Sequence, residues 1–360
     1  MKALHVIDSL GRGGAEQVLV TLLPELVRQG CVAKVAVLRP PYDLQQALEE
    51  RGIHVHRLQR RHKWNVLGAS REIAGLVREA DFGVVHAHLY FPAISVALTR
   101  LLGLHGAKTF VSFHNLAYAG ATRDSIGLRV KRRFAAYLYP RGYDGLLAVS
   151  RAVADHYRAA LGLDYLAVLP NPVEVPANVH AEPSVHGGLK IVIPGRLVQE
   201  KGHTDLIQAL TLLKQPCSVV FAGGGPLHEA LQKAGPHVQI TGPLEHDEML
   251  RWIASADIVV IPSRFEGFGL AALEAMSLSK PVVATRAGGL PDVLGDAGLL
   301  VPPSNPVALA NAIQTLVDDP ALRASLGNAA RIRATRDFSP NAIAAQLLAL
   351  YHQYPKERAE

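Results

Sequence analysis

Short runs of Val, Ile, Leu and Ala recur along the chain, each followed by a longer stretch in which apolar positions return every three or four residues. In the first half the runs at 3–7, 34–38, 83–87, 107–113 and 145–149 predict strands, and the stretches 15–29, 65–80, 92–103 and 151–161 predict helices. The runs are continuously apolar rather than alternating. That suits strands buried on both faces, so the pattern predicts a parallel sheet covered by crossover helices. The rhythm restarts with runs at 189–194, 218–222, 237–241, 257–261 and 281–284. Between the two series lies PNPVEVPANVHAEPSVHGG, residues 170–188, with four prolines and little periodicity, which reads as a linker. The expectation is an α/β chain of two doubly wound domains, 1–170 and 189–338, joined by a linker at 171–188 and facing a central cleft. In such sheets ligands sit beyond the carboxyl ends of the strands, so the loops there are where chemistry is sought.

Composition narrows the class. A length of 360 residues fits two domains, and 49% apolar against 19% charged residues excludes a disordered chain. The opening apolar stretch is interrupted by His5 and stops at Asp8, too short for an export signal, and no run reaches the length of a membrane span. Cys31 and Cys217 stand far apart, which argues against a disulfide framework or a cysteine zinc cluster. The cytoplasm is the expected compartment. The net charge of +6 is uneven: 22 Lys and Arg against 14 Asp and Glu through residue 175, then 15 against 17. The first half therefore suits an anionic partner. An anionic membrane face or a phosphorylated acceptor ranks above nucleic acid, because no nucleic-acid-binding motif accompanies the charge.

Several segments carry candidate chemistry. SLGRGGAEQVL, residues 9–19, is a glycine-rich turn opening a helix, whose N–H groups suit an anion. It departs from the dinucleotide fingerprint: Glu16 replaces the third glycine, and the second strand ends at Arg39 rather than an acidic residue. After the strand IVIP come Arg196 and Lys201, two cations that suit a diphosphate, while AGGGP at 222–226 reads as a structural turn. In PSRFEGFGLAALEAM, Glu266 precedes a helix and Glu274 lies in its second turn, so both can reach a ligand at the helix start and accept hydrogen bonds from sugar hydroxyls. His86 and His88 alternate along a strand but lack a third metal ligand. Cleft lining or packing is their expected role. Asp318 and Asp319 precede Pro320 in a connection between helices and are not read as a metal motif.

GGAE at 13–16, GRLVQEKG at 195–202, Glu266 and Glu274 eight positions apart, and GGLPDV at 288–293, in this order, resemble glycosyltransferase family 4. The resemblance implies the GT-B fold and retaining transfer from a nucleotide sugar. It also implies that residues 339–360 cross back onto the first domain. Residue by residue, it implies that Arg196 and Lys201 hold the donor diphosphate, that Glu274 binds the ribose, and that Glu266 faces the donor sugar. Phe268, Gly269 and Leu270 would offer backbone N–H groups, His114 would stand near the transferred sugar, and Gly13 and Gly14 would line the cleft. The stretch from Thr241, TGPLEHDEM, would cradle the base. Asp292, where the family usually has Glu, and Asn171-Pro172, where it commonly has Asn-Gly, depart from the pattern.

The expected function is transfer of a hexose, most often UDP-linked in this family, to a saccharide or lipid-linked acceptor, as in cell-surface polysaccharide or glycolipid synthesis. No metal and no cofactor beyond the co-substrate are expected, because Arg196 and Lys201 would neutralise the leaving diphosphate. A nucleotide-sugar epimerase and a non-catalytic sugar-nucleotide sensor are the alternatives. Arg57, Arg60, Arg61 and Lys63 beside Trp64 form a first basic cluster, and Arg123, Arg129, Lys131, Arg132 and Arg133 a second. The second accompanies Ile126, Val130, Phe134, Tyr137 and Leu138, which share a helical face in this reading. A basic amphipathic helix of this kind suits peripheral attachment to the inner face of a membrane.

Overall fold

The computed structural model describes residues 1–58, 65–118, 126–175, 179–182, 188–235 and 237–354. The chain divides into two compact units, one of Met1–Pro172 with Pro340–Glu360, the other of Val173–Ser339. The proline-rich stretch from Val173 onward is thus counted with the second unit.

The first unit contains strands β1 (Lys2–Ile7), β2 (Val32–Val37), β3 (His54–Arg57), β4 (Val84–His88), β5 (Lys108–Phe113), β6 (Gly145–Ala148) and β7 (Ala167–Val168). They form one parallel sheet in the order β3-β2-β1-β4-β5-β6-β7. Helices α1 (Gly14–Arg28), α2 (Gln45–Glu50), α3 (Val66–Glu79), α4 (Tyr90–Leu101), α5 (Ile126–Gly142) and α6 (Arg151–Leu161) connect them. Local chemistry sets the helix ends. Asn65 Oδ1 accepts from Gly68 N–H, Ser150 Oγ accepts from Val153 N–H, and Gly162 ends α6 in the left-handed conformation.

The second unit has β8 (Lys190–Pro194), β9 (Ser218–Ala222), β10 (Val238–Ile240), β11 (Ile258–Ile261), β12 (Val282–Thr285) and β13 (Leu299–Val301), parallel, in the order β10-β9-β8-β11-β12-β13. Its helices are α7 (His203–Leu210), α8 (His228–Gln232), α9 (His246–Ala254), α10 (Leu270–Ser277), α11 (Leu290–Leu294), α12 (Pro306–Asp318) and α13 (Pro320–Asp337). Asp319 caps α13 by accepting from Leu322 N–H, a structural duty for half of the Asp318-Asp319 pair. Ile191, Ile193, Phe221, Ile258 and Val283 anchor the core.

The last helix, α14 (Pro340–Gln353), belongs to the first unit. Asn341 Nδ2 donates to Glu25 on α1 at 3.0 Å, and Lys108 Nζ donates to the Tyr351 carbonyl at 2.9 Å. Tyr351 itself is fully buried against Phe110. Three strands escape the apolar pattern: β3, β7 and β13. Each is a short edge strand: β3 alternates polar and apolar residues and buries only one of its four fully, while β7 and β13 are apolar but only two and three residues long. Among the described residues no helix is long and apolar enough to cross a membrane.

Candidate active site

In the second sheet the chain builds outward through β9 and β10, then returns to the other side of β8 with β11. This reversal opens a crevice at the carboxyl ends of β8 and β11, the position where doubly wound sheets receive ligands. Arg196 and Lys201 leave β8 here, and Glu266 leaves β11. Lys201 Nζ donates to Glu266 Oε2 at 2.6 Å, and Ser263 Oγ approaches the same oxygen at 3.3 Å. The sequence reading gave these side chains separate ligands; the structure pairs them with each other. Arg196 is exposed, and its carbonyl accepts from His203 Nε2 at 2.9 Å.

Two further ties hold the loops in register. Arg264 N–H donates to the Glu200 carbonyl at 2.8 Å, and Arg264 Nε donates to Asp205 Oδ2 at 2.8 Å. Glycine allows the tightest approach. Gly288 has φ +52°, and a Cβ there would run into the Glu266 carbonyl oxygen, so the GGLPDV loop closes directly on the Glu266 loop. The AGGGP turn behaves as expected of a structural element, with Leu197 N–H donating to the Gly224 carbonyl at 2.9 Å.

Gly269 caps α10 with φ +110°, and Leu270 is its first residue, so the N–H groups that open a helix lie at this edge. Phe268 turns inward, buried, with its ring edge-on to Phe338 at 6.0 Å. Glu274, in the second turn, is largely covered, and burial pushes its carboxyl up to about 7. His246 Nδ1 stands 3.8 Å from Glu274 Oε1. His246 begins α9 in the TGPLEHDEM stretch, where Glu245 and Glu248 form a reciprocal capping box. The sequence reading missed His246 because its contact with Glu274 is made only through the fold.

The first sheet has its own reversal between β1 and β4. Gly13 caps α1, and Gly14 is its first residue. The buried Glu16 curls back over Gly13, with Ser9 Oγ donating to it at 3.4 Å, and burial raises its carboxyl above the usual range. Arg39, noted for failing the dinucleotide pattern, grips Asp8 in a bidentate ion pair.

His114 follows β5 and meets a group of imidazoles. His88 Nδ1 lies 3.0 Å from His114 Nε2, and His88 Nε2 lies 3.0 Å from His5 Nδ1. His86 is bonded at both nitrogens, to Tyr351 Oη at 2.6 Å and Ser112 Oγ at 2.8 Å. Burial holds all four rings neutral, pushing His5 down to about 3 and His114 to about 4, with His86 and His88 also well below the ordinary range. His5 supplies the third imidazole that spacing alone could not find: it is the register partner of His86 across β1 and β4. One nitrogen each from His5, His86 and His88 lies within 4.8 Å of the others, close enough to surround an ion. In this structure, however, His86 spends both nitrogens on Tyr351 and Ser112, and His5 Nδ1 and His88 Nε2 face each other, so these nitrogens serve hydrogen bonds.

Residues 12–175 match the family model described as Glycosyltransferase Family 4, and residues 188–319 the model described as Glycosyl transferases group 1. The MMP alpha-(1->4)-mannosyltransferase of Mycolicibacterium hassiacum is 33% identical over 314 residues, covering 80% of this chain and 74% of that protein. The glycogen synthase of Mycobacterium tuberculosis is 29% identical over 283 residues, 74% of this chain and 68% of that one. Among solved structures, Anabaena HepE in complex with UDP and glucose has a TM-score of 0.81 at 22% identity, covering 98% of this chain and 99% of that chain. The fold is GT-B, as the motifs implied. The chain belongs to glycosyltransferase family 4, and it is a glycosyltransferase.

Proposed function

We propose that the enzyme transfers a hexose from a UDP-sugar to a saccharide or lipid-linked acceptor, with retention at the anomeric carbon. The reading rests above all on the switch-point edge of the second unit, where Arg196, Lys201, Glu266 and the α10 start carrying Glu274 follow neighbouring strands β8 and β11. Arg196 and Lys201 meet the charge of the departing diphosphate, in place of a metal ion. Glu274 accepts from the ribose hydroxyls, and Glu266 from the sugar. Backbone N–H groups of Phe268, Gly269 and Leu270 add to the grip on sugar and phosphate. In the first unit, His114 is the residue assigned to the transferred sugar, with Gly13 and Gly14 beside the same ligand.

In a front-face displacement the bond from the anomeric carbon to the phosphate oxygen breaks while the acceptor oxygen bonds on the same face. The acceptor proton passes to the departing phosphate. This route needs no protein nucleophile. The mannosyltransferase and the UDP- and glucose-bound protein support a hexose and a uridine nucleotide.

The acceptor side is read from α5. Ile126, Val130, Phe134 and Tyr137 are exposed at helical spacing, and Arg129, Lys131 and Arg133 stand beside them. Leu138 does not share that face: it is buried with Ala135 and Tyr139 on the inner side of a helix that packs chiefly against α4. Arg60, Arg61, Lys63, Trp64 and Arg123 lie outside the described residues, while Arg57 is held over the Tyr42 ring at 4.3 Å. An exposed apolar stripe with a cationic border favours an anionic membrane face, and with it a lipid-linked acceptor at the cytoplasmic leaflet. The test is a panel of nucleotide sugars screened by thermal shift, then offered with lipid-linked and free saccharide acceptors. UDP-hexoses should stabilise the protein and give a product of retained configuration; stabilisation by none of the panel would overturn the reading.

A further inference from the structure

The bond between Lys201 and Glu266 joins two loops through the very groups assigned to the ligand, so a phosphate that draws on the Lys201 ammonium loosens it. Other ties between the loops do not involve those groups, and they converge on the first turn of α7. His203, the first residue of α7, donates from Nε2 to the Arg196 carbonyl at 2.9 Å. Asp205, two residues on, takes both arms of the Arg264 fork, Nε at 2.8 Å and Nη2 at 2.5 Å. Arg264 stands two residues before Glu266, and its N–H donates to the Glu200 carbonyl at 2.8 Å, beside Lys201. Gly202, just ahead of His203, packs so closely on the end of β11 that a Cβ there would stand 1.9 Å from the Pro262 carbonyl oxygen.

The chemistry of each tie is defined. A carbonyl only accepts, so His203 carries its proton on Nε2. Its Nδ1 is covered and has no partner among the described residues, so a second proton there would be a buried N–H with nothing to accept it. The ring is a neutral donor, and burial pushes its pKa down in the same sense. Phe221 meets it edge-on at 5.4 Å, which seats the ring against the core of the second unit. The Arg196 carbonyl also accepts from Val198 N–H at 3.0 Å, so the peptide behind the Arg196 side chain is held from two sides. Asp205 is buried and turned onto Arg264 rather than toward solvent, with its side chain 10% exposed. A bidentate fork fixes angle as well as distance.

We propose that His203, Asp205 and Arg264 are positioning residues: His203 sets the peptide from which Arg196 reaches the ligand, and the Asp205–Arg264 clasp keeps the Glu266 loop in register with Lys201 when a phosphate draws Lys201 away. They act through Arg196, Lys201 and Glu266. That those three meet a diphosphate and a sugar rests on the function proposed above; the ties themselves do not.

The test compares the full-length wild type with His203→Phe, His203→Gln, Arg264→Ala and Asp205→Asn, by calorimetry with UDP, free diphosphate and uridine, and by steady-state kinetics. His203→Phe keeps a ring against Phe221 and removes the donor. It should bind UDP and free diphosphate about tenfold more weakly and uridine within about twofold of wild type. His203→Gln, whose amide N–H can take the place of Nε2–H, should restore most of that affinity. Arg264→Ala and Asp205→Asn should each lower kcat about tenfold and leave the KM for nucleotide sugar within about threefold. Combined, they should be no worse than either alone, because each removes the same clasp. An equal loss for uridine and UDP, no rescue by glutamine, or an additive double variant would make these residues general supports of the unit and overturn the proposal. Should Arg264→Ala not fold, Asp205→Asn, which keeps the shape of the side chain, decides that arm. UDP-hexose turnover and UDP affinity unchanged in all the variants would overturn the proposal and leave the function standing. A wild type that binds free diphosphate but no nucleotide sugar would overturn the function, and diphosphate affinity in the His203 variants would then decide the proposal; binding of neither overturns both.

Discussion

Lys201 Nζ donates to Glu266 Oε2 across 2.6 Å, joining the loop that leaves β8 to the loop that leaves β11. The side chains are 25% and 14% exposed, so solvent screens the pair only in part. A phosphate that takes hold of Lys201 must compete with Glu266 for it. Glu266 thereby acts on two things, the sugar it is proposed to face and the charge available to the diphosphate.

Glu266→Gln separates these effects. Freed from its carboxylate, Lys201 should bind UDP at least as tightly as in the wild type, while transfer falls because a group facing the sugar has lost its charge. Isothermal calorimetry with UDP and steady-state kinetics check the two halves. A parallel loss of UDP affinity and turnover would contradict the division.

Arg196→Ala and Lys201→Ala should each weaken UDP binding by about 1.5–3 kcal/mol, the range of a charge-assisted contact. The two should differ in stability. Arg196 is exposed, so its loss should leave the melting temperature nearly unchanged. Lys201→Ala leaves Glu266 without its cation and should lower it, and thermal denaturation of the ligand-free variants distinguishes them.

Glu274 gives a pH signature. Burial raises its carboxyl from 4.5 to about 7, so between those values the folded state keeps a proton that the unfolded chain has released. The stability this group supplies is complete below pH 4.5 and is lost as pH rises through 7. Glu274→Gln should therefore stabilise the protein at pH 8 relative to wild type, by at most about 3 kcal/mol, and hardly change it at pH 4.5. Binding runs the other way, because ribose hydroxyls need the ionised acceptor. Wild-type affinity for a UDP-sugar should fall from pH 8 to pH 6, and the variant's should stay flat.

The two-sheet plan was legible because central strands of a parallel sheet are apolar on both faces, as in VVHAH of β4, all buried. Edge strands such as β3 lack that imprint. At the site, Arg196, Lys201, Glu266 and Glu274 stood out because each is a charged residue at a strand's end or within an apolar helix. Sequence could not show that Lys201 and Glu266, 65 positions apart, meet each other. Nor could it join His5 to His86 and His88, because strand register, not spacing, brings β1 beside β4.

Gly288 tests how closely the site depends on loop packing. Its φ of +52° and the Glu266 carbonyl beside it both exclude a side chain. Gly30, with φ +84° and open space around it, shares the first constraint only. Gly30→Ala should cost about 1 kcal/mol from backbone strain alone. Gly288→Ala should cost more and also weaken UDP binding by displacing the Glu266 loop. Equal losses of stability, with UDP affinity intact in both, would show that the close approach is dispensable.

The exposed face of α5 makes the last expectation. Ile126 is 77% exposed, Val130 61% and Phe134 44%, yet they follow helical spacing and so lie on one stripe. The buried side of α5, which packs chiefly against α4, is made by Ala135, Leu138 and Tyr139, so the stripe lies outside that contact. Replacing Ile126, Val130 and Phe134 with Ser should change stability little, as surface substitutions usually do within about 0.5 kcal/mol each. The effect should appear in sedimentation with vesicles. Wild type should bind anionic vesicles in preference to neutral ones and leave them as salt rises, because charges on an exposed face are screened beyond roughly 10 Å at 0.1 M. The serine variant should keep the electrostatic approach but lose the insertion, binding weakly at low salt and not at all near 0.15 M. It should still glycosylate a water-soluble acceptor at the wild-type rate. If wild type stays in the supernatant with anionic vesicles at low salt, the stripe is not a membrane face, and a soluble saccharide becomes the acceptor to pursue.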